Sequence, residues 1–201
     1  MKRLIATLSL LAMLTACQTS STKENPLLTE STLDYQAPDF SKIRPAHFVP
    51  AIEEGIRIQL AEIDSITSNT AAPTFENTVL AYEKSGRLLA RATSILSGLV
   101  GADGTEELQK IDEETTPMLS AHHDALLLNE KLFARIKAVY DQRSSLQGED
   151  LRLTEVLYDQ FVHEGALLSA VDKEALKKIN SEIAVLQTKF TNQVNAGTKE
   201  A

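Results

Sequence analysis

The chain contains one cysteine, Cys17, so no disulfide can close within it. Glycine and proline are scarce, at eight and six in 201 residues. No stretch sustains an alternation of apolar and polar residues, which leaves no pattern for half-buried strands. Basic residues are outnumbered, 20 against 28 acidic, for a formal charge of −8; a chain of this sign offers no polycationic surface to nucleic acid or to an anionic membrane. The apolar run at the N-terminus, Leu4 to Leu14, is interrupted by Thr7 and Ser9 and is too short for a membrane-spanning helix. Also missing are a Gly-x-Ser-x-Gly elbow, a Gly-rich loop leading into Lys-Ser or Lys-Thr, and a complete His-Glu-x-x-His. These absences remove the common signatures of nucleophilic, phosphate-binding and zinc-hydrolytic centres.

What the N-terminus does have is a leader. Lys2 and Arg3 precede the apolar run, as in a signal peptide, and the run ends in Leu14-Thr15-Ala16-Cys17. That tetrapeptide has the form of a bacterial lipobox, in which small residues admit the lipoprotein signal peptidase and the Cys17 thiol takes a diacylglyceryl group before cleavage. Two or more acyl chains on a mature Cys17 give stable anchoring where one chain does not. Gln18, rather than Asp, follows the cysteine, the pattern of lipoproteins sent to the outer membrane of Gram-negative cells. Residues 1–16 are read as leader, 17–36 as a polar tether rich in Ser and Thr, and 37–201 as a folded region. Losing Lys2 and Arg3 with the leader moves the formal charge from −8 to −10. The chain from Cys17 onward is still long enough to bury a core.

Apolar residues recur at intervals of three and four almost throughout, which predicts an all-α fold built as a bundle of helical hairpins. A first helix is expected from Pro50, a first-turn proline, to about Ser68, with Ile52, Ile56, Leu60 and Ile63 on one face. A second opens at the N-cap Thr74 and carries Phe75, Val79, Tyr82, Gly86, Leu89, Thr93, Leu96 and Val100 at alternating steps of four and three. Gly86 in that seam marks either a close backbone approach or a weak point. After a turn at Gly101–Gly104, Thr105 caps a third helix, which Pro117 should kink or interrupt, leaving Met118 to about Leu128 as a separate segment. Asn129 caps a fourth helix through Tyr140, with Leu132, Phe133, Ile136 and Val139 apolar. The fifth runs from Glu149 to about Glu164 and carries Leu153, Val156, Leu157 and Phe161. The sixth starts near Asp172 and is expected to bury Leu176, Ile179, Ile183, Leu186, Phe190 and Val194.

A series of phrases runs along these helices in a fixed order. It begins with Asn25-Pro26-Leu27-Leu28, Ala37-Pro38-Asp39-Phe40-Ser41-Lys42-Ile43 and His47-Phe48-Val49-Pro50-Ala51-Ile52-Glu53-Glu54-Gly55. It continues with Pro73-Thr74-Phe75-Glu76-Asn77-Thr78-Val79-Leu80-Ala81-Tyr82-Glu83-Lys84-Ser85-Gly86 and Leu132-Phe133-Ala134-Arg135-Ile136. Glu149-Asp150-Leu151-Arg152-Leu153, Phe161-Val162-His163-Glu164-Gly165-Ala166, Asp172-Lys173 and Leu186-Gln187-Thr188-Lys189-Phe190 complete it. In that order the phrases resemble the N-terminal part of the bacterial peptidyl-dipeptidases called Dcp, within the thimet oligopeptidase-like family of zinc metallopeptidases. Tyr82 stands where such proteins commonly carry Leu.

The resemblance implies a mainly helical enzyme with a deep channel and zinc on its floor, releasing dipeptides from the C-termini of oligopeptides. This part would form a wall and roof of the channel, and the chain is expected to end before the catalytic domain. The motif of that family places two histidines four residues apart on one helix face with a glutamate to polarise metal-bound water. Here His163-Glu164 is followed by Leu167 where the second histidine is required. His122 and His123 are adjacent, about 100° apart on a helix, and their neighbours four residues away are Met118, Leu119, Leu126 and Leu127. His47 has no ligand partner at metal spacing before Glu53. The acidic runs Glu53-Glu54 and Asp112-Glu113-Glu114 read as solvated helix surface. No residue of this chain is therefore assigned as catalytic, cofactor-binding or metal-ligating; Cys17 is assigned as the lipid-attachment site. An endo-acting oligopeptidase of the same family and a non-enzymatic helical lipoprotein scaffold are the alternatives.

Overall fold

A computed structural model describes residues 25–200, and every regular element among them is helical. The longer elements are α1 (Phe48–Thr67), α2 (Leu80–Glu83), α3 (Arg87–Ala102), α4 (Glu106–Leu127), α5 (Glu130–Asp141), α6 (Gly148–His163) and α7 (Ala170–Glu200). Single turns at Pro26–Leu28, Asp34–Gln36, Pro45–His47 and Arg143–Ser145 join or precede them, and a wide π-type turn at Phe75–Val79 leads into α2. The expected caps are present. The Thr74, Thr105 and Asn129 side chains accept the backbone N–H groups of Asn77, Leu108 and Leu132, respectively. Asn77 also returns its side-chain oxygen to the Thr74 N–H at 2.9 Å, closing a capping box.

Two apolar clusters lie along the molecule. The first joins Leu27, Ile43 and the start of α1 (Phe48, Ala51, Ile52) to α3 (Leu89, Ala92, Leu96, Val100) and the start of α4 (Leu108, Ile111). The second joins the end of α1 (Ile63, Ile66), Phe75 and Val79 to the end of α4 (Leu126, Leu127), α5 and α6. It contains an aromatic group in which Phe133 stacks on Phe161 and Tyr158, with Tyr82 edge-on to Phe161. Helices α1 and α4 are shared by both clusters and act as struts between them.

Four expectations need correction. The seam from Phe75 to Val100 is not one helix: Gly86 adopts a left-handed φ of 69°, so α2 ends and α3 starts afresh. Its N-terminal half faces the second cluster and its C-terminal half the first, so Gly86 is a break between cores. The buried face of α1 is Phe48, Ala51, Ile52, Gly55, Ile63 and Ile66, and Leu60 is exposed, because α3 packs on the small residues Ala51 and Gly55. Pro117 does not divide α4, which runs unbroken from Glu106 to Leu127. The hydroxyls of Thr115 and Thr116 bond the Ile111 and Asp112 carbonyls in the turn just before the proline.

The fourth correction concerns α7. Ile179, Ile183, Leu186, Phe190 and Val194, expected to be buried, are exposed, with Leu186 and Phe190 at 65% and 68%. What α7 turns to the body is mainly polar, although Leu176 is half-buried beside the turn at Gly165. Asn180 donates to the Asp124 carboxylate at 2.7 Å, the Thr116 and Thr188 hydroxyls meet at 2.9 Å, and Asn192 donates to Glu113 at 3.2 Å. Ahead of α1, Leu27 is fully buried, and the Asn25 side chain donates to the His47 carbonyl at 2.8 Å.

Candidate functional site

The junction between the two clusters is polar, and it is assembled from the middles of the two struts. Gln59 on α1 reaches His122 on α4, with Oε1 at 2.7 Å from Nε2, and its amide nitrogen donates to the Ser85 hydroxyl at 3.2 Å. Ser85 donates in turn to the Tyr82 carbonyl. Glu62, one turn along α1, accepts the backbone N–H of Gly86 at 2.8 Å. The helix break and the polar bridge are thus one arrangement: the turn after α2 is held by α1, and α1 is held to α4 through His122. Sequence reading assigned none of these partners, since Gln59 and Ser85 look like surface residues until α1 and α3 are packed.

His122 is buried, and its Nδ1 has no hydrogen-bond partner. Burial, and secondarily the neighbouring His123, hold its pKa below the usual 6.5. The unfolded chain therefore takes up this proton first as pH falls. The stability His122 contributes is complete above about pH 6.5 and is lost as pH falls through its lower folded value. Thermal melts taken between about pH 7 and about pH 5, above most carboxylate titrations, should show a falling midpoint. His122→Gln, which keeps a polar head beside Gln59 but does not titrate, should flatten that slope. Equal slopes in the two proteins would remove His122 as the cause.

The other histidines are dispersed. His123 is exposed and lies 3.7 Å from Glu164. The His47 ring accepts the Arg44 N–H and so caps the turn before α1. His163 closes α6, its Nδ1 at 2.7 Å from the Asp159 carbonyl.

At that point the chain turns. Gly165, with φ 98°, donates to Val162 while Ala166 donates to the Phe161 carbonyl, the paired bonds of a Schellman motif. Leu167 is therefore not merely the wrong residue for a second ligand; it is no longer on the helix that carries His163. Among the described residues no group of three or more His, Cys, Asp or Glu is gathered closely enough to hold a metal ion. The zinc that the family resemblance implies does not fit the donors present.

The acidic run on α4 is less solvated than its sequence suggests. Asp112 has its pKa raised, first by burial and then by Glu113, and Glu113 reaches across to Asn192. In the second cluster, burial pushes the Tyr82 phenol up to about 12, with Glu83 adding to it, so the ring serves as packing against Phe161. Cys17 lies outside the described residues. Near the start of the described chain, Pro26, Leu27, Leu33, Gln36, Arg91 and Ile95 are among the residues lining a cavity of about 250 Å³.

The described residues form an all-helical body with an open apolar face on its last helix. Its residues 1–18 match the model for the prokaryotic membrane lipoprotein lipid attachment site. The chain is homologous to dipeptidyl carboxypeptidases: it is 44% identical over 177 residues to that of Salmonella typhimurium and 42% identical over 180 residues to that of Escherichia coli. These matches cover 87% and 89% of this chain and 26% of each relative. Oligopeptidase A of Salmonella typhimurium is 24% identical over 172 residues, covering 85% of this chain and 25% of the relative. The chain spans about a quarter of the length of the curated relatives it matches.

Proposed function

We propose that this chain is the helical N-terminal portion of an exported, lipid-anchored, zinc-dependent peptidyl-dipeptidase that releases dipeptides from the C-termini of oligopeptides. In this reading residues 37–201 form a wall of the substrate channel, and the zinc ligands and general base belong to another part of the protein. The lipid on Cys17 holds it at the outer membrane, facing the periplasm. The observation that carries the reading is the 44% identity to a dipeptidyl carboxypeptidase over 87% of the chain. Identity to oligopeptidase A is much lower, at 24%, which favours the dipeptide-releasing mode over an endo-acting one. The open stripe on α7 supports a partner surface, since a helix held by polar contacts with its apolar face in water leaves its hydrophobic stabilisation unrealised.

The test uses the chain by itself and the whole reading frame that carries it. The isolated segment from Asn25 to Ala201 should be strongly helical by circular dichroism, melt broadly, and bind a hydrophobic dye. Helix α7 should loosen before the two clusters do, because local opening begins where few apolar contacts are buried. Leu186→Glu with Phe190→Glu should abolish most of the dye signal without lowering the midpoint. The isolated segment should neither bind stoichiometric zinc nor cleave blocked oligopeptides, and the whole frame should do both. A sharp melt with no dye binding in a monomer would instead indicate a complete scaffold domain.

A further inference from the structure

The first described residues carry an exposed apolar group that neither cluster uses. Leu33 is 48% exposed, Phe40 56%, and Tyr35 104%. Tyr35 sits at the tip of a tight turn in which both it and Gln36 have φ 57°, closed by the Ala37 N–H donating to the Asp34 carbonyl at 3.1 Å. Two left-handed residues in succession suit Asn or Gly, yet this turn presents an aromatic ring wholly to solvent. Leu33 and Gln36 line the same cavity as Pro26 and Leu27, as do Pro38 and Asp39, so the backbone that flanks Tyr35 and Phe40 runs along the side where the chain enters the fold.

That entry is tied down. Asn25 is buried, its side chain accepts the Leu27 N–H at 3.0 Å and donates to the His47 carbonyl, and Arg91 bonds the Leu27 carbonyl at 2.9 Å. From Cys17 to Asn25 the backbone advances eight residues, which reach at most about 29 Å even when fully extended. An acylated Cys17 therefore keeps this side of the body close to the bilayer, and makes its encounter with lipid effectively intramolecular. Charges around the group are largely paired: Lys42 with Asp39 at 2.9 Å and Arg87 with Glu30 at 3.5 Å. Such a surface has no pull toward anionic headgroups. Aromatic and aliphatic side chains over neutral charge suit the interface of a zwitterionic phospholipid, where a ring with a polar tip is at home.

We propose that Leu33, Tyr35 and Phe40 form a membrane-docking patch that seats the folded body on a zwitterionic phospholipid interface once Cys17 is acylated. The patch fixes which side of the body meets the membrane. It rests on the acylation of Cys17 in the reading above, and the two are separable by experiment.

The sequence has no tryptophan, so Tyr35→Trp and, separately, Phe40→Trp each create a unique reporter at an exposed position. The full chain with its leader is expressed in a Gram-negative host, purified with its lipid, and placed in phosphatidylcholine vesicles with and without brominated acyl chains. Both reporters should shift to the blue and lose most of their emission to the brominated lipid. Glu149→Trp, exposed on α6, should do neither. Cys17→Ser in the Tyr35→Trp background should restore the water-exposed spectrum. Mass measurement of Cys17 separates the two readings. A diacylglyceryl-modified chain in which the Tyr35→Trp and Phe40→Trp reporters both stay wet overturns the patch alone, whereas an unmodified Cys17 overturns the anchor and the patch with it. A blue shift that depends on protein concentration without lipid would assign the patch to a second copy and overturn the proposal.

Discussion

Replacing Leu96 with Asp should destroy the half of the molecule built on α1, α3 and the start of α4. Leu96 is 2% exposed and packed among Leu89, Ala92, Val100, Phe48, Ile52, Leu108 and Ile111, none of which can pair with a carboxylate. Truncation to Ala would already cost roughly 2–5 kcal/mol from lost transfer energy and the cavity left behind. An ionised Asp adds the burial of an unpaired charge, several kcal/mol more. Against a total stability on the order of 5–15 kcal/mol for a domain, the sum is enough to unfold the region. Circular dichroism at neutral pH should show a large loss of helix, and the chain should become protease-sensitive between Phe48 and Ile111. The informative control is Leu60→Asp, on the stripe that sequence periodicity assigned to the core but the structure leaves exposed; it should shift stability by no more than about 0.5 kcal/mol. Equal damage from the two would mean that the buried face of α1 is wrongly placed.

That contrast shows what the sequence could and could not convey. Helix content, the caps at Thr74, Thr105 and Asn129, and the ends of α5 and α6 follow from local chemistry, so they were legible residue by residue. The face of α1 was not, because close helix packing selects small residues such as Ala51 and Gly55, which carry no apolar signal in a periodicity count. The break at Gly86 was half legible: its position was visible, but its consequence depends on Glu62 and Gln59 from another helix. Helix α7 misled for a different reason. Its apolar residues repeat at steps of three and four as a buried stripe should, and periodicity reports that a face seeks a partner without saying whether this chain supplies one. Among the described residues the polar side of α7 is the one that meets α4. The same limit governs the candidate site. The failed histidine motif at His163 could be read from Leu167 alone, whereas the Gln59–His122 bridge joins residues 63 positions apart and exists only in the packed structure.

Gly55→Ala should destabilise the protein, although the same exchange in an exposed helix interior normally stabilises it. Alanine is favoured over glycine in a helix by roughly 0.8–1 kcal/mol, through reduced freedom in the unfolded chain and better shielding of the backbone. At Gly55, however, an added Cβ would stand 2.8 Å from the Leu89 Cα and 2.9 Å from the Leu89 nitrogen. These are backbone atoms of α3, so no rotamer change can clear them; one helix must move away from the other. Overpacking of this kind costs about 1–3 kcal/mol, which exceeds the propensity gain and reverses its sign. The shift would also loosen the first cluster, since Ile52 on α1 and Leu89, Ala92 and Leu96 on α3 meet across this contact. Gly98 supplies the opposite case in the same protein. It lies within α3, and a Cβ there would meet nothing within 4 Å, so Gly98→Ala should raise stability by up to about 1 kcal/mol. Chemical denaturation of the two variants beside the parent should place them on opposite sides of it, and Gly55→Val should fall further below than Gly55→Ala. If both alanine variants are stabilised, α1 and α3 do not approach as closely as the structure has them.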